Sequence, residues 1–377
     1  MKILSIGTLA ALVIAGILVA ALWPFNPFPK NDVSWAQAGL RFGDYGTLFS
    51  SGDAVPPRSA DGDCSLEIWL TPALTDDSNV ILAYAPRDNP GQFRVGQTGN
   101  ALYVGREVRR SGSVVARPYI LIPRVFHQDT PILVTVAGGK HGTLVYINGK
   151  LAVSRDGFGL TASDFAGPMV VANSPVGNNS WAGLLQGFAV YGAQLSSQDV
   201  AAHYQLWSAG DTASLMRAEA DVLYLFREGS GKNAHNSGRS QQPDLWIPDH
   251  YRILYPTFLH PFWKDFHMNR SKLQDMSNNV IAFIPLGFLT CCWFARKGQN
   301  PRAFWWAILF GTLLSLSLEC IQYFLPMRDS DSMDWLTNTS GTIIGACLGA
   351  LELRYNWLGK IPVIGSIWRS ARLNSSQ

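Results

Sequence analysis

Three pairs of polar side chains in the C-terminal third of this 377-residue chain have the spacing of neighbours on one face of a helix. Residues three or four positions apart lie side by side on a helix surface, so each pair presents two polar groups in one direction. An arginine follows the second pair in a short loop that contains a proline. The predicted site consists of Asp275 with Asn279, Glu319 with Gln322, Arg328, and Asp334 with Asn338.

Glu319 is the most unusual member of this group, because it lies inside a long apolar run. An unpaired carboxylate in a membrane helix costs about 2.5–3.5 kcal/mol or more, so an ionisable residue there predicts a functional site. Arg328 is the expected counter-charge, since a guanidinium forms bidentate pairs with carboxylates. A purely structural interpretation is also open. In it, Asp275 and Asp334 cap helix N-termini, and the amide side chains form hydrogen bonds between helices.

The sequence around these residues lacks the patterns of nucleophilic or metal catalysis. No serine–histidine set accompanies the polar pairs, and the chain contains no His-Glu-x-x-His zinc motif. His260 and His267 are seven residues apart, without further ligands at a defining spacing. We therefore expect no metal and no cofactor.

The composition indicates a membrane protein that also has a water-exposed part. Charged residues make up 15% of the chain and hydrophobic residues 47%, whereas soluble proteins average about 25% charged residues. The net charge of +3 gives no support to a nucleic-acid partner. Four of the five cysteines lie in apolar C-terminal runs, which excludes a disulfide scaffold.

Four apolar stretches are predicted to cross the membrane as helices. A hydrocarbon core of ~30 Å requires about 20 residues, and Ile3–Trp23 supplies 21 without an ionisable side chain. A cleaved signal peptide is the alternative for this stretch, with a small-residue site at Val19–Ala21. The other predicted spans are residues 278–295, 303–325 and 335–351.

The basic residues between the spans predict the orientation of the helices. Lysine and arginine cluster at residues 296–302, between the second and third spans, and in the tail after residue 353. The loop 326–334 instead holds three aspartates and one arginine. Because basic loops stay on the cytoplasmic side, both termini are expected inside and the segment 24–277 outside.

The segment between residues 32 and 245 predicts an all-β fold. Short alternating or apolar runs such as Ser65–Leu70 and Ile132–Val136 recur there, separated by Gly, Asn, Asp and Pro. The run Thr143–Ser154 is typical of a hairpin, because Asn148-Gly149 accepts the positive φ angles of a type I′ turn. A segment of this length with such spacing predicts a sandwich of two sheets.

Three of these stretches resemble the LamG-like family of concanavalin A-like jelly rolls. Ser65–Pro72 is similar to an early strand of that family, and Gly142–Lys150 to its hairpin. Gly183–Tyr191, followed by Leu195–Tyr204, looks like its closing strand and short helix. Tyr224–Gly231 resembles the strand that normally opens such domains, so we expect a circular permutation. The resemblance implies a domain that binds a glycan or a protein partner.

Hydrolysis of glucans is not expected of this domain. Retaining glucanases place two carboxylates about 5–5.5 Å apart, which on a strand requires alternate positions, as in Glu-x-Asp-x-x-Glu. The chain contains no such triplet, and Glu219 with Asp221 is the nearest pair. Binding through the polar loop tip Asn178–Trp181 is open, although Trp181 is more typical of a core or edge aromatic beside an asparagine turn.

The polar pairs resemble the VanZ-like family of bacterial membrane proteins. The similarity runs from Asp275-x3-Asn279 through Phe283-Ile-Pro-Leu-Gly-Phe288 and the two later pairs to Gly341 and Gly345. The resemblance implies a role in the cell envelope, and the family is associated with resistance to the glycopeptide teicoplanin. It implies no catalytic mechanism. The glycine repeat, which continues to Gly349, predicts only close helix packing.

These expectations combine into a multi-domain protein of the bacterial plasma membrane. Residues 1–29 would form the first transmembrane helix and its outer end, and residues 30–248 an extracytoplasmic LamG-like sandwich inserted in the outer loop. Residues 249–353 would hold the VanZ-like helices, and residues 354–377 a cytoplasmic tail.

Three functions are compatible with this organisation, and a binding protein is the one we expect. Its sandwich would recognise an envelope glycan or protein, and its polar site an envelope or lipid-linked ligand. The alternative is an enzyme of the membrane surface, with Glu319 or an aspartate as general acid or base on a lipid-linked sugar or phosphate. In the third interpretation, the polar group only fixes helix packing beneath a tethered adhesion domain.

Overall fold

A computed structural model describes residues 5–59, 62–75, 78–139, 142–262, 270–295 and 302–361, together with Gly365 and Trp368. The chain divides into two compact units. The first, Phe28–Pro256, contains the strands, and the second is helical and combines the chain up to Pro27 with the chain from Thr257 on. Several predictions above concern residues outside the described ranges, namely His267, the basic residues between 296 and 301, and the tail after residue 361 apart from Gly365 and Trp368.

The regular elements within the described ranges are numbered here in chain order. The helices are α1 Ile6–Leu22, α2 Ser197–Ala209, α3 Thr212–Arg217, α4 Arg270–Ala295, α5 Ala303–Gln322 and α6 Ser332–Tyr355. The strands are β1 Val33–Ala36, β2 Gly39–Phe42, β3 Leu48–Ala54, β4 Cys64–Pro72, β5 Ser78–Tyr84, β6 Phe93–Thr98, β7 Ala101–Gly105, β8 Val108–Arg110, β9 Ser113–Ala116, β10 Tyr119–Ile122, β11 Ile132–Gly139, β12 Gly142–Ile147, β13 Lys150–Arg155, β14 Gly167–Val171, β15 Gly183–Tyr191, β16 Val222–Tyr224, β17 Asn233–Ala234 and β18 Leu245–Trp246. Short 3-10 turns lie at Ala162–Phe165 and Leu358–Lys360.

The first unit is a sandwich of two antiparallel sheets. The first sheet has the order β1-β2-β15-β4-β11-β12-β13, with β16 paired to β15. The second has the order β10-β7-β6-β5-β14-β3-β18-β17, and β8 and β9 form a separate hairpin. Inward side chains of both sheets share one core, including Leu66 and Ile68 of β4 and Leu82 and Tyr84 of β5. The predicted all-β sandwich is confirmed.

The predicted hairpin lies at the edge of the first sheet, where β12 pairs with β13. Asn148 and Gly149 connect the two strands, with φ angles of 50° and 78°. Both angles are positive, as a type I′ turn requires, so the predicted turn is confirmed. The Asn148 side chain also accepts a hydrogen bond of 2.9 Å from the backbone N–H of Leu133, which fixes the turn against β11.

The segment after α3 supplies strands to both sheets. β16 adds to β15 in the first sheet, and β18 pairs with β3 in the second. The strand lies at Val222–Tyr224, ahead of the predicted Tyr224–Gly231. The backbone explains the difference, because Phe226, Gly229 and Gly231 have φ angles of 50°, 69° and 89°, which end an extended strand.

The four long helices of the second unit occupy the predicted regions, with different ends. α4 begins eight residues before residue 278, and α6 continues to Tyr355, four residues beyond 351. Asp331 caps α6 by accepting a 2.8 Å hydrogen bond from Met333, and Asn356 ends it in the left-handed conformation. α5 stops at Gln322, three residues before 325, because the following Pro326 disfavours helix at the residue ahead of it.

Two of these helices are long and apolar enough to cross a membrane, namely α5 and the part of α4 from Lys272. α1 is apolar but has 17 residues. The outward surfaces of the helices carry large apolar side chains, among them Val19, Ile281 and Trp305, which are 63–67% exposed. Many large exposed apolar side chains on the helices are typical of surfaces that face lipid or another protein. The four-span organisation stays a prediction.

The glycine repeat of α6 packs against the backbone of α4. A Cβ atom at Gly341 would lie 2.2 Å from the carbonyl oxygen of Val280, and one at Gly345 would lie 2.0 Å from that of Ile284. Neither position therefore has room for a side chain. The predicted close packing of the glycine face is confirmed, and it brings the N-terminal halves of α4 and α6 side by side.

Candidate functional site

Glu319 joins the end of α5 to the start of α6. It lies in the last turn of α5 and is 2% exposed. Its Oε2 atom accepts a 2.9 Å hydrogen bond from the backbone N–H of Asp331, the residue that caps α6. A buried carboxylate thus satisfies a backbone donor at a helix N-terminus, where negative charge is favourable.

Asp334 and Asn279 connect α6 with α4. The Asn279 amide donates a 2.9 Å hydrogen bond to Oδ1 of Asp334. Asp275 lies one helical turn before Asn279 and lines the same cavity. The two predicted pairs therefore meet directly. The structure assigns the N-terminal cap of α6 to Asp331, so the interpretation of Asp334 as that cap is wrong.

Gln322 and Arg328 hold the end of α1. The Gln322 amide donates a 3.0 Å hydrogen bond to the carbonyl oxygen of Ala21. The Arg328 guanidinium donates to the carbonyl oxygens of Trp23 and, at 3.5 Å, Ala20. Cationic donors near a helix C-terminus complement its unpaired carbonyls.

The prediction that Glu319 forms an ion pair with Arg328 is wrong. No carboxylate oxygen of a described residue lies within 4 Å of the Arg328 guanidinium. The carbonyls at the end of α1 take the guanidinium instead, while Glu319 accepts from the α6 backbone. Both side chains nevertheless line one cavity.

Asn338 completes the group from one turn deeper in α6. Its amide donates a 3.1 Å hydrogen bond to the hydroxyl of Ser315 on α5, and both residues are buried. This contact agrees with the structural interpretation of Asn338 as a link between helices. Ser315 was not among the predicted residues, because a serine in an apolar run carries no spacing signal of its own.

All seven predicted residues line one cavity of about 540 Å³ between α1, α4, α5 and α6. Asn278 and Asp329 also line it, and neither was predicted, although each adjoins a predicted residue in the sequence. A second cavity of about 350 Å³ shares Asp275, Asp329 and Asp334 with it. The polar lining comprises Asp275, Asn278, Asn279, Glu319, Gln322, Arg328, Asp329, Asp334 and Asn338.

Three buried polar atoms of this cavity have no hydrogen-bond partner among the described residues. They are Oε1 of Gln322, Oδ1 of Asn338 and Nε of Arg328. Gln322 and Asn338 are only 9% and 6% exposed. Buried polar groups are nearly always paired, so three unpaired atoms on residues that line one cavity mark an unusual polar cluster.

The lining determines what chemistry the cavity can perform. It offers four carboxylates, four amides and one guanidinium, with no serine, cysteine or histidine among the described lining residues. No group of three or more metal-ligating side chains is disposed to hold an ion in the described ranges. The arrangement is suited to hydrogen-bonding a polar ligand, and a nucleophile for covalent catalysis of the serine or cysteine type is absent from this described lining.

The polar loop tip of the sandwich is used for structure. Trp181 is 1% exposed, and its Nε1–H donates a 3.0 Å hydrogen bond to Gln97. The Tyr251 hydroxyl donates at 2.7 Å to Asn178, and Ser180 bonds the same hydroxyl at 2.9 Å. The core interpretation of Trp181 is confirmed.

A buried carboxylate that the sequence did not reveal lies on the opposite face of β4. Glu67 is fully buried and receives 3.1 Å hydrogen bonds from the Tyr191 hydroxyl and the Trp207 Nε1–H. The Nδ1 atom of His203 lies 3.1 Å from its other oxygen. Since α2 carries two of these partners, this cluster fixes the helix to the sheet.

Family comparisons match two separate parts of the chain to two different families. Residues 222–352 match the VanZ/LLP1 family, and residues 46–201 match the concanavalin A-like lectin/glucanases superfamily. The VanZ/LLP1 match begins at β16, within the sandwich unit. Protein VanZ of Enterococcus faecium is 34% identical over 82 residues, which are 22% of this chain and 48% of that protein. The chain thus spans about half the length of the curated relative it matches.

Solved structures similar to the chain match it over somewhat less than half its length. The receptor-binding domain of botulinum neurotoxin type G is 13% identical, with a TM-score of 0.31, over 46% of this chain and 50% of its own. The heptameric SAP-like pentraxin of Limulus polyphemus is 18% identical, with a TM-score of 0.33, over 45% of this chain and 81% of its own.

The fold and the cavity define a two-part protein in which a helical unit with a polar cavity accompanies a lectin-like sandwich. Residues 222–352 are thus VanZ-like, and residues 46–201 are a LamG-like domain of the concanavalin A-like superfamily.

Proposed function

We propose that this protein is a bacterial envelope receptor of the plasma membrane, with the polar cavity of its helical unit binding an envelope or lipid-linked ligand. The observation that carries the proposal is the convergence of seven polar residues from three helices and a loop on one cavity. The unpaired oxygens of Gln322 and Asn338 add to it, because residues that leave polar groups unpaired are common at functional sites. The sandwich binds a glycan, as its superfamily suggests.

Binding is favoured over catalysis by the composition of the cavity. The lining lacks a serine or cysteine nucleophile among its described residues, and the buried carboxylate of Glu319 accepts a hydrogen bond from the backbone of α6. An acid or base catalyst needs its proton-accepting atom directed at the substrate. A role in glycopeptide resistance is part of the proposal and rests on the similarity to Protein VanZ.

We further propose that α1, α4, α5 and α6 all cross the membrane, with the sandwich outside. Reporter fusions test the orientation. We expect extracytoplasmic signals at residues 150 and 330 and cytoplasmic signals at residues 299 and 370, because basic residues cluster at the latter two. An extracytoplasmic signal at residue 299 would contradict the four-span organisation.

The function of the cavity is tested with Glu319→Gln. Glutamine keeps the shape and an acceptor for the Asp331 N–H, so we expect normal abundance in the membrane. The negative charge is lost, and we expect at least about tenfold weaker binding of a ligand that places a positively charged group against this carboxylate, as for a central buried contact. The measurement is complementation of a deletion strain, scored as teicoplanin susceptibility at matched protein levels.

Ser317→Ala is the matched control for this substitution. Ser317 is exposed on the same helix, and its hydroxyl donates to the carbonyl of Leu313. It should complement the deletion fully. If Glu319→Gln also complements fully at normal abundance, the cavity charge has no functional role, and the polar group serves helix packing.

A further inference from the structure

A row of three side chains crosses the outer face of the second sheet at its β10 edge. Tyr119 of β10, Tyr103 of β7 and Arg94 of β6 alternate with buried residues of their strands, so they point away from the core. The two tyrosine rings are stacked, with centroids 5.8 Å apart and an angle of 17°. Tyr119 is 61% exposed.

A glycine allows this row to lie flat on the sheet. Gly105 stands in register with Tyr119 on one side and Arg94 on the other. A Cβ atom at Gly105 would lie 2.3 Å from the hydroxyl oxygen of Tyr103, so the tyrosine ring extends across the glycine. The Arg94 guanidinium donates at 3.3 Å to the Tyr103 hydroxyl and lies 5.2 Å from its ring centroid. These contacts hold Arg94 in place beside the rings.

The surrounding segment is strongly basic. Residues 94–124 contain six arginines and a single acidic residue, Glu107. Glu107 pairs with Arg109 and Arg117, and Arg106 pairs with Asp164. Arg94 has no carboxylate within 4 Å in the part of the chain that the structure describes. Its charge is therefore available to a ligand.

We infer that Tyr119, Tyr103 and Arg94 form a binding platform for an anionic polysaccharide, which rests on the proposed glycan binding by the sandwich. A sugar ring would stack its apolar face on the exposed ring of Tyr119, since aromatic faces provide flat apolar contact area. Its acidic group would pair with the Arg94 guanidinium. A flat aromatic face beside a fixed cation suits a rigid acidic sugar better than a fluid lipid surface.

Binding of two forms of one polymer by the full-length protein in nanodiscs of neutral lipid tests the platform. Polygalacturonate carries a carboxylate on every ring, and its methyl ester has the same backbone without the charge. We expect polygalacturonate to bind at least about tenfold more tightly, and Tyr119→Ala and Arg94→Gln each to weaken it about tenfold or more, as for hot-spot residues. Gly105→Ala should weaken it too, because its Cβ displaces Tyr103.

Arg110→Gln is the control, because it removes the same charge from the exposed β8–β9 hairpin outside the row. It should change binding less than twofold. An equal loss in Arg110→Gln, or no loss in Tyr119→Ala, overturns the platform, as does binding to nanodiscs of anionic lipid in place of the polymer. If both polymers bind equally and the variants do not affect their binding, the platform is overturned, but the proposal that the sandwich binds a glycan is retained. If neither polymer binds, the platform is overturned, and a panel of neutral glycans decides the proposed glycan binding separately.

Discussion

Replacing Gly345 by alanine is expected to destabilise the helical unit, although glycine to alanine ordinarily stabilises a helix by about 1 kcal/mol. The new Cβ would lie 2.0 Å from the carbonyl oxygen of Ile284 and 2.8 Å from the backbone nitrogen of Phe288. Both obstacles are backbone atoms, so α4 and α6 must move apart. Overpacking of this kind costs about 1–3 kcal/mol or more.

Gly16→Ala is the matched control for this prediction. Gly16 lies in α1, and a Cβ there would meet nothing within 4 Å. The folded fraction of detergent-purified protein after heating should fall at a lower temperature for Gly345→Ala, whereas Gly16→Ala should equal or exceed the unmodified protein. Equal behaviour of the two variants would mean that α4 and α6 are not in backbone contact.

The sequence was enough to predict which residues form the polar site, but not which of their side chains form hydrogen bonds with which partners. Helical spacing places Asp334 and Asn338 on one face whatever the surroundings, so the pattern alone assigns them to a common surface. The partner of Arg328 depends on how the loop before α6 folds. It also depends on the unpaired carbonyl groups at the end of α1, and the Trp23 carbonyl that Arg328 contacts is 305 residues away in the sequence. Glu319 likewise accepts a hydrogen bond from a backbone N–H. Every residue except proline has such a group, so no sequence motif identifies this partner.

The sandwich shows the same division between local and distant information. Strand positions and the Asn148-Gly149 turn follow from local alternation and φ preferences. Glu67, in contrast, has the position of a solvent-facing residue on β4, since its neighbours Leu66 and Ile68 face the core. Only the later packing of α2 over this face buries it, and helix docking on a sheet has no local sequence signal.

Replacing Glu67 by alanine is expected to detach α2 from the sandwich. The carboxylate accepts from Tyr191 and Trp207 and contacts His203, and its removal leaves these buried groups without partners. Removing one partner of a buried charged pair typically costs about 3–5 kcal/mol. Hydrogen exchange followed by mass spectrometry on the full-length protein should show faster exchange in peptides from α2.

Asp249→Ala is the control for this loss of a carboxylate. Asp249 pairs with Lys232 at 2.6 Å, with both side chains more than half exposed, and exposed pairs contribute little to stability. Hydrogen exchange in α2 of the Asp249→Ala variant should match that of the unmodified protein. If Glu67→Ala leaves α2 as protected as Asp249→Ala does, the buried cluster does not hold the helix.

Glu67→Gln is expected to reverse the pH dependence of α2 docking. Burial alone would lower the pKa of His203, but the hydrogen bond and charge of Glu67, with a smaller contribution from Asp199, raise it above the usual value of about 6.5. A raised folded-state pKa gives a stabilisation that is complete below pH ~6.5 and is lost as the pH rises through the raised pKa. Protection of α2 should therefore fall as the pH rises above about 6.5 in the unmodified protein.

In the Glu67→Gln variant, the uncharged amide no longer favours a protonated ring. The amide nitrogen would donate to Nδ1 of His203, which requires the neutral imidazole, while the amide oxygen accepts from Trp207. Burial then dominates and lowers the pKa of His203, so that protection is gained as the pH rises through about 6.5. Other titrating groups are common to both proteins and cancel when their slopes are compared. The same slope in both proteins would show that the charge of Glu67 does not act on His203.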